Sequence, residues 1–342
     1  MIFPLNSSLG DSQSCFPSIN TSCLKYSYVG NIAIVMYIFM IGSTLITVGG
    51  NLIVIISISH FKCLHSPTNF LICSLAFADF LLGFLVMPYS IIRSITNCWY
   101  FGNLLCKMHS SVDGSLSIVS AFHLFFISVD RYYAVCHPLH YSIKITFSVT
   151  MMFIGLSWTM PIICVFSLTF SDVNLVGIEE YAISISCEGF CSVVFNKVLG
   201  VTTFVVAYLI PCTVMTVMYV NIFIVAKHHA QIINMSDKSN PLEMGHKISS
   251  VKERKAAKTL GIIMTTFVLC WTPLYSTFAI DPFLNYTIPA YVYDVLVWIA
   301  YVNSALDPII YGFYYLWFRK ALVILLSGKI FHPSSSEIII IS

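Results

Sequence analysis

Seven apolar stretches run through the chain, at approximately 31–59, 69–92, 104–135, 147–170, 198–226, 257–280 and 288–315. Each is near or above the roughly 20 residues a helix needs to cross a hydrocarbon core. Backbone amides and carbonyls find no water in lipid, so only helices or closed barrels can span it, and stretches this long read as helices. Composition agrees: 58% of the 342 residues are hydrophobic and 9% are charged, against about a quarter charged in soluble domains. The expected fold class is therefore an all-α membrane protein, a seven-transmembrane helix bundle followed by a short amphipathic C-terminal helix. Residues 1–30 read as an N-terminal tail, 31–315 as the membrane domain and 316–342 as a helix and tail.

Lysine and arginine placement orients such a bundle. With the N-terminus outside, the outer side carries only Lys25, Arg93, Lys107 and Lys197, and the other 13 of the 17 basic residues fall inside. The expected topology is N-terminus extracellular and C-terminus cytoplasmic, in the plasma membrane, with the lipid bilayer as solvent. No secretory leader is expected, because the first thirty residues are polar. The net charge of +2 gives no ground for a nucleic-acid partner. Asn6, Asn20 and Asn285 open N-x-S/T sequons on the predicted outer side. Six cysteines, Cys15, Cys23, Cys98, Cys106, Cys187 and Cys191, also fall outside, where disulfides persist. None lies after Cys270, so the tail offers no thiol for a palmitoyl anchor. Ser334, Ser335 and Ser336 are candidate phosphorylation sites, and the polar stretch 228–251 reads as a mobile inner loop.

Ionisable residues inside a spanning helix are functional hypotheses by default, and three acids qualify: Asp79, Asp113 and Asp307. Asp113 and Arg131 are eighteen residues apart on the third segment, or about 27 Å at 1.5 Å per residue and five full turns. They share a side, one near the outer mouth and one at the inner end. A buried carboxylate needs a cation or several donors, and no Lys or Arg stands at that depth, so the missing cation would come from a ligand. Trp271, Tyr275, Phe204, Trp298 and Tyr301 could wall an ammonium by cation–π contact. The alternative is that Asp113 is a packing residue bonded to Tyr, Ser or Thr, and each aromatic taken singly reads first as core.

Asp79 shares its depth with Asn51, Ser120, Asn303, Ser304 and Asp307. Such an oxygen-lined set suits a hard cation, sodium, as an allosteric ion; a water-filled network with one acid protonated is equally open. No other cofactor is indicated. Asp130-Arg131-Tyr132 closes the third segment. Arg131 could pair with Asp130 or with Glu253 at the foot of the sixth segment, a bistable tie between helix ends; the alternative is an arginine snorkelling to headgroups. Pro88, Pro161, Pro211, Pro273 and Pro308 interrupt five of the helices, and Pro273 puts a kink beside Trp271.

These motifs together resemble the rhodopsin-like (class A) G protein-coupled receptors over about 30–330. The resemblance rests on Gly50-Asn51, Leu75-Ala76-Phe77-Ala78-Asp79, Asp130-Arg131-Tyr132, Trp158, Pro211, Cys270-Trp271-Thr272-Pro273 and Asp307-Pro308-Ile309-Ile310-Tyr311. A narrower likeness joins His60-Phe61-Lys62, Leu64 to Phe70, Cys98-Trp99-Tyr100-Phe101-Gly102, Phe122-His123-Leu124, Glu253 to Gly261, Asp281-Pro282-Phe283-Leu284 and Trp317 to Leu322. On these the chain is similar to the trace amine-associated receptors.

The resemblance implies that Asp113 binds an ammonium with Tyr301 as its aromatic neighbour. It implies that Cys106 pairs with Cys191, and Cys187 with an N-terminal cysteine, assigned as Cys15. Arg131 would be the G-protein switch, with Asp130, Tyr132, Glu253, Asp307, Pro308 and Tyr311 around it. Partners would be a small amine and a heterotrimeric G protein, a stimulatory one raising cyclic AMP, in an olfactory setting. Departures are Asp307 where Asn is usual, Thr272 and Leu274 around Pro273, and Leu316 before Trp317. Thr203 in the fifth segment, in place of a second acid, favours a monoamine over a diamine. A channel or transporter is the rival class, but no internal duplication is visible. A receptor with lost amine response is a third reading. An enzyme is not expected, since no nucleophile set, metal cluster or phosphate loop stands in the sequence.

Overall fold

The computed structural model describes residues 14–25, 31–235, 241–332 and 335–340; the side chains at 31–32, 229–230, 232–235 and 241–257 lie outside that description. Asn6 and the side chain of Glu253 therefore lie outside the described residues.

Among the described residues, seven helices are long and apolar enough to span a membrane: α1 (Ala33–His60), α2 (Pro67–Thr96), α3 (Gly102–Cys136), α4 (Phe147–Phe170), α5 (Lys197–His228), α6 (Lys258–Leu284) and α7 (Ala290–Tyr314). Local chemistry explains several starts. Ser66 caps α2 by accepting from the Asn69 amide, with Pro67 in the first turn. Thr146 and Asn196 do the same for α4 and α5. The Ser66 cap starts α2 at Pro67, two residues ahead of the apolar stretch.

Two of the five prolines sit just past a widened turn. Leu82–Val86 of α2 and Thr203–Leu209 of α5 are π-helical, immediately before Pro88 and Pro211. Slipping the hydrogen-bond register there accommodates a ring that cannot donate. Pro161, Pro273 and Pro308 lie within continuous α-helix.

The helices α2, α3 and α7 bury 56% of their most apolar window, α4 and α5 only 17%, so α3 runs through the middle and α4 and α5 face outward. α3 packs on α2, α4 and α5; α7 packs on α1 and α6. Gly50 permits the α1–α7 approach, since a Cβ there would stand 2.6 Å from the Pro308 ring.

The segment read as a mobile inner loop is helical through Met235 and again from Pro241, which opens the helix continuing into α6. Pro241 suits a first turn, and Lys252 to Lys258 are mostly strong helix formers. After α7, the short helix α8 (Leu316–Leu326) buries Trp317, Phe318 and Ala321 along one stripe, the amphipathic pattern expected. The final segment returns to the α1–α2 turn. His60 bonds Ser335 at 2.9 Å, Lys62 pairs with Glu337 at 3.3 Å, and Ile340 is 1% exposed. Ser335 is thus a buried, bonded hydroxyl.

At the opposite end, residues 14–25 fold back on the α4–α5 connection, with Cys15 N bonded to Cys23 O and Cys23 N to Glu188 O. Three disulfides close this layer: Cys15–Cys98, Cys23–Cys187 and Cys106–Cys191. The Cys15–Cys187 assignment is overturned. Backbone bonds of Thr21 and Cys23 with Glu188 bring Cys23 beside Cys187, while Cys15 reaches the α2–α3 turn at Asn97 and Cys98. The Cys106–Cys191 pair forms as expected. Asn20 and Asn285 are exposed on this same end.

Candidate functional site

Asp113 stands on α3 two turns from the Cys106 disulfide, half-buried. Its Oδ2 accepts from the Tyr301 hydroxyl at 2.8 Å. Among the described residues no Lys or Arg closes an ion pair on it. The basic groups whose charge acts on it are His109 and Arg93, and Arg93 lies toward Asp294, at 3.9 Å. Hence a carboxylate faces the bundle interior with one donor supplied by protein and its charge uncompensated.

The aromatic residues divide into two walls. On one side Trp271, Tyr275, Tyr208 and Phe204 form a ladder across α6 and α5, with centroids 5.7, 4.9 and 6.0 Å apart in succession. Thr203 opens the widened turn beside Phe204. On the other, Tyr301 and Trp298 meet edge to face at 5.4 Å. Trp298 is core-bound: its indole N–H donates to Ser94 of α2 at 3.1 Å and its ring lies 6.5 Å from Phe39 of α1. Tyr301 reaches Asp113, whereas Trp298 braces Tyr301 from behind. The Tyr208 hydroxyl is spent on Val268 O and Thr272, a tie between α5 and α6 that pattern reading did not reveal.

Below this layer Asp79 Oδ1 accepts from Ser304 at 2.7 Å and Ser120 at 3.3 Å. Asn51 donates to Thr47 O and Ser304 O, which ties α1 to α7. Five buried oxygens find no partner among the described residues: Asn51 Oδ1, Asp79 Oδ2, Asn303 Oδ1 and both carboxylate oxygens of Asp307. Buried polar atoms are normally satisfied, and two carboxylates this close repel one another. A set of hard oxygens with excess negative charge fits a small hard cation.

At the far end Arg131 donates to Asp130 from Nη2 at 2.6 Å and Nε at 2.8 Å, and to Thr68. Thr68 and Tyr141 each donate to Asp130, at 2.7 and 2.9 Å. Burial and the charge of Asp130 push the Tyr141 phenol up to about 12, so it remains a donor. Tyr132 packs on His137 at 5.5 Å, and Tyr311 lies buried beside Tyr315 at 5.7 Å. The roles of Thr68 and Tyr141 as donors to Asp130 were not visible in the sequence, because each is a common residue given its role by a neighbour on another segment.

A seven-helix bundle whose central helix carries an acid without an ion pair near one end and a clamped arginine at the other, with an aromatic ladder across α5 and α6, is the layout of a transmembrane receptor. Residues 50–311 match the family model described as 7 transmembrane receptor (rhodopsin family). The chain is 49% identical to trace amine-associated receptor 4 of Mus musculus over 95% of its own length and 94% of that protein. It is 48% identical to trace amine-associated receptor 1 of Homo sapiens, over 94% and 96%, and 44% identical to trace amine-associated receptor 13c of Danio rerio, over 96% of each. The chain belongs to the rhodopsin family of G protein-coupled receptors and, within it, to the trace amine-associated receptors. That family is one of multi-pass plasma-membrane receptors, working through a small-molecule ligand and a G protein, and is not enzymatic.

Proposed function

We propose that this receptor binds a small cationic monoamine at Asp113 and signals through a stimulatory G protein to cyclic AMP, in a sensory, olfactory setting. The observation that carries the reading is the Asp113 carboxylate, held on Oδ2 by Tyr301 and in no ion pair with Lys or Arg among the described residues. The ammonium would meet Asp113, with Tyr301, Trp271, Tyr275 and Phe204 around it and Thr203 toward α5; Trp298 would act through Tyr301. Thr203, in place of an acid, supports one charged end rather than two. The names of its relatives point to the same ligand class.

The disulfide end would face outward: that end carries all three disulfides, which need oxidising surroundings, and the basic residues crowd the other. Asn20 and Asn285, with Asn6, would carry glycans. Contact at Trp271 would bend α6 at Pro273 and release Arg131, with Glu253 contributing to the closed state and Tyr132, Asp307, Pro308 and Tyr311 to the rearrangement. Sodium would be held by Asp79, Asn51, Ser120, Asn303 and Asp307, supplying positive charge that favours the closed bundle.

The test is a cyclic AMP assay over a panel of volatile monoamines with surface expression measured in parallel. Asp113→Ala should abolish the response while surface expression persists; an undiminished response sinks the ligand assignment. Glu253→Ala should raise basal signalling, and unchanged basal activity argues against a lock with Arg131. A second reading, a receptor with altered amine response, is favoured by Asp307, whose buried carboxylate beside Asp79 would bias the resting equilibrium. It is supported instead if no amine in the panel elicits cyclic AMP while basal signalling responds to Asp307→Asn.

A further inference from the structure

The Tyr301–Asp113 bond continues into a chain of polar groups. Ser90 Oγ lies 3.3 Å from Tyr301 Oη and 3.3 Å from His109 Nε2, and His109 Nε2 lies 3.2 Å from the carbonyl of Val86. All of Ser90, His109 and Tyr301 are buried. Ser90, like Ser120 and Ser304, bonds across helices, whereas many hydroxyls of the bundle bond within their own helix. Ser43, Thr47, Ser111, Ser117 and Ser128 all turn their O–H onto the carbonyl four residues back. For Ser90 that carbonyl belongs to Val86, and His109 from α3 takes it instead. The serine is left free to bond across helices, at the point where α2 leaves its widened turn.

The direction of every hydrogen follows from the two ends. An ionised carboxylate only accepts, so the one phenolic hydrogen of Tyr301 goes to Asp113 Oδ2. The Tyr301 oxygen is then an acceptor toward Ser90, whose single hydrogen must point to it. Ser90 Oγ in turn accepts from His109, which requires the hydrogen on Nε2. The Val86 carbonyl, which also only accepts, demands the same tautomer independently, and a three-centre bond from one N–H to two acceptors is ordinary geometry. A third fact agrees. His109 Nδ1 is buried with no partner among the described residues, and a stranded lone pair is tolerated more readily than a stranded N–H.

We infer that Ser90 and His109 are positioning residues for the amine site: they align a one-way donor chain, His109 to Ser90 to Tyr301 to Asp113, that commits Oδ2 to protein and leaves Oδ1 for the ligand's ammonium. The inference deepens the amine reading and rests on it. Without Ser90 the phenolic oxygen loses its donor, and the hydroxyl of Tyr301 is free to turn from the acid.

Two measurements on the full-length receptor test it. In lipid nanodiscs with ¹⁵N-histidine, the His109 resonances, assigned by their loss in His109→Gln, should show a neutral ring protonated at Nε2 and bare at Nδ1. A ring protonated at Nδ1, alone or on both nitrogens, overturns the chain. The second is a double-mutant cycle with 2-phenylethylamine as probe in the cyclic AMP assay. Ser90→Ala should raise the half-maximal concentration about 5-fold, the worth of one net hydrogen bond, and should add nothing once Tyr301→Phe is present. Additive effects show that Ser90 serves packing alone and overturn the proposal. Asp113→Ala separates the two readings. A full response in that mutant removes the amine assignment whatever the tautomer, while a lost response with additive Ser90 and Tyr301 effects removes only the chain. Should 2-phenylethylamine elicit nothing from the unmutated receptor, the tautomer alone decides.

Discussion

Two groups of buried acids lie along the same helical interior and are treated in opposite ways. Asp113 is half-buried, accepts one bond from Tyr301, and has no second acid beside it among the described residues. Asp79 and Asp307 are fully enclosed, stand side by side, and leave three of their four carboxylate oxygens without a geometric hydrogen-bond partner among the described residues. Asp130 shows the satisfied extreme, bonded to Arg131, Thr68 and Tyr141. Burial of a charge is tolerated only with compensation, so what each site lacks indicates what it takes. A lone acid with aromatic walls suits an organic cation that brings its own apolar body. An enclosed cluster of oxygens suits a bare ion or protons, which need no apolar wall.

The largest effect should come from breaking the Asp113 side of this contrast. Asp113→Asn keeps the shape and removes the charge, and should cost amine potency at least about 100-fold, in line with the 3–5 kcal/mol typical of removing one partner of a buried charge pair. Cyclic AMP concentration–response curves with surface labelling measure it; a shift under threefold would erase the difference between the two acid sites. Next in size, Asp79→Asn should abolish the dependence of amine potency on sodium, a coupling of about 10-fold in the parent by the usual scale of such linkages. Replacing sodium by N-methylglucamine in the assay reads it, and retained sodium sensitivity would move the ion elsewhere.

A smaller effect sharpens the contrast within the lower cluster. Asp307→Asn should leave sodium sensitivity in place and change basal cyclic AMP by about threefold, because it removes the like charge beside Asp79 and spares the serine-bonded acid. If it instead behaves as Asp79→Asn does, the two carboxylates act as one unit. The smallest change belongs to the satisfied site. Tyr141→Phe removes one donor from Asp130 and should raise basal signalling about twofold, by roughly one weak net hydrogen bond. The sign with pH is fixed by the raised phenol. Its donor form is present below the folded value of about 12 and would be lost only as pH rises through it. The twofold ratio should therefore be the same at about pH 6 and pH 8, and a ratio that varies across that range would point to another titrating group.

Much of this was legible in the chain. Apolar length marks a span whatever its neighbours are, and the seven stretches became α1 to α7 with most ends moved by a few residues, as at the Ser66 and Asn196 caps, and the fourth unmoved. The acids and Arg131 were visible because a charge in an apolar stretch is conspicuous. Cysteine pairing was not: six outer cysteines admit fifteen pairings, and the hydrogen bonds of residues 14–25 with Glu188 selected among them. The bracing groups were equally hidden. Ser90, His109, Thr68 and Tyr141 are unremarked residue types whose partners lie on other helices.

The sequence by itself determined that this protein lives in a bilayer as seven helices, which acids those helices carry inside, and that an arginine closes the third. Those properties follow from solvation free energy summed along each stretch, which needs no knowledge of neighbours. Only the tertiary structure decided which acid is left open, which pair is crowded and which is clamped. Hydrogen bonds reach about 3 Å, and the residues they join at Asp113 are 188 positions apart in the chain. Asp113 is distinguished from Asp79 less by what it is than by the single hydroxyl that reaches it.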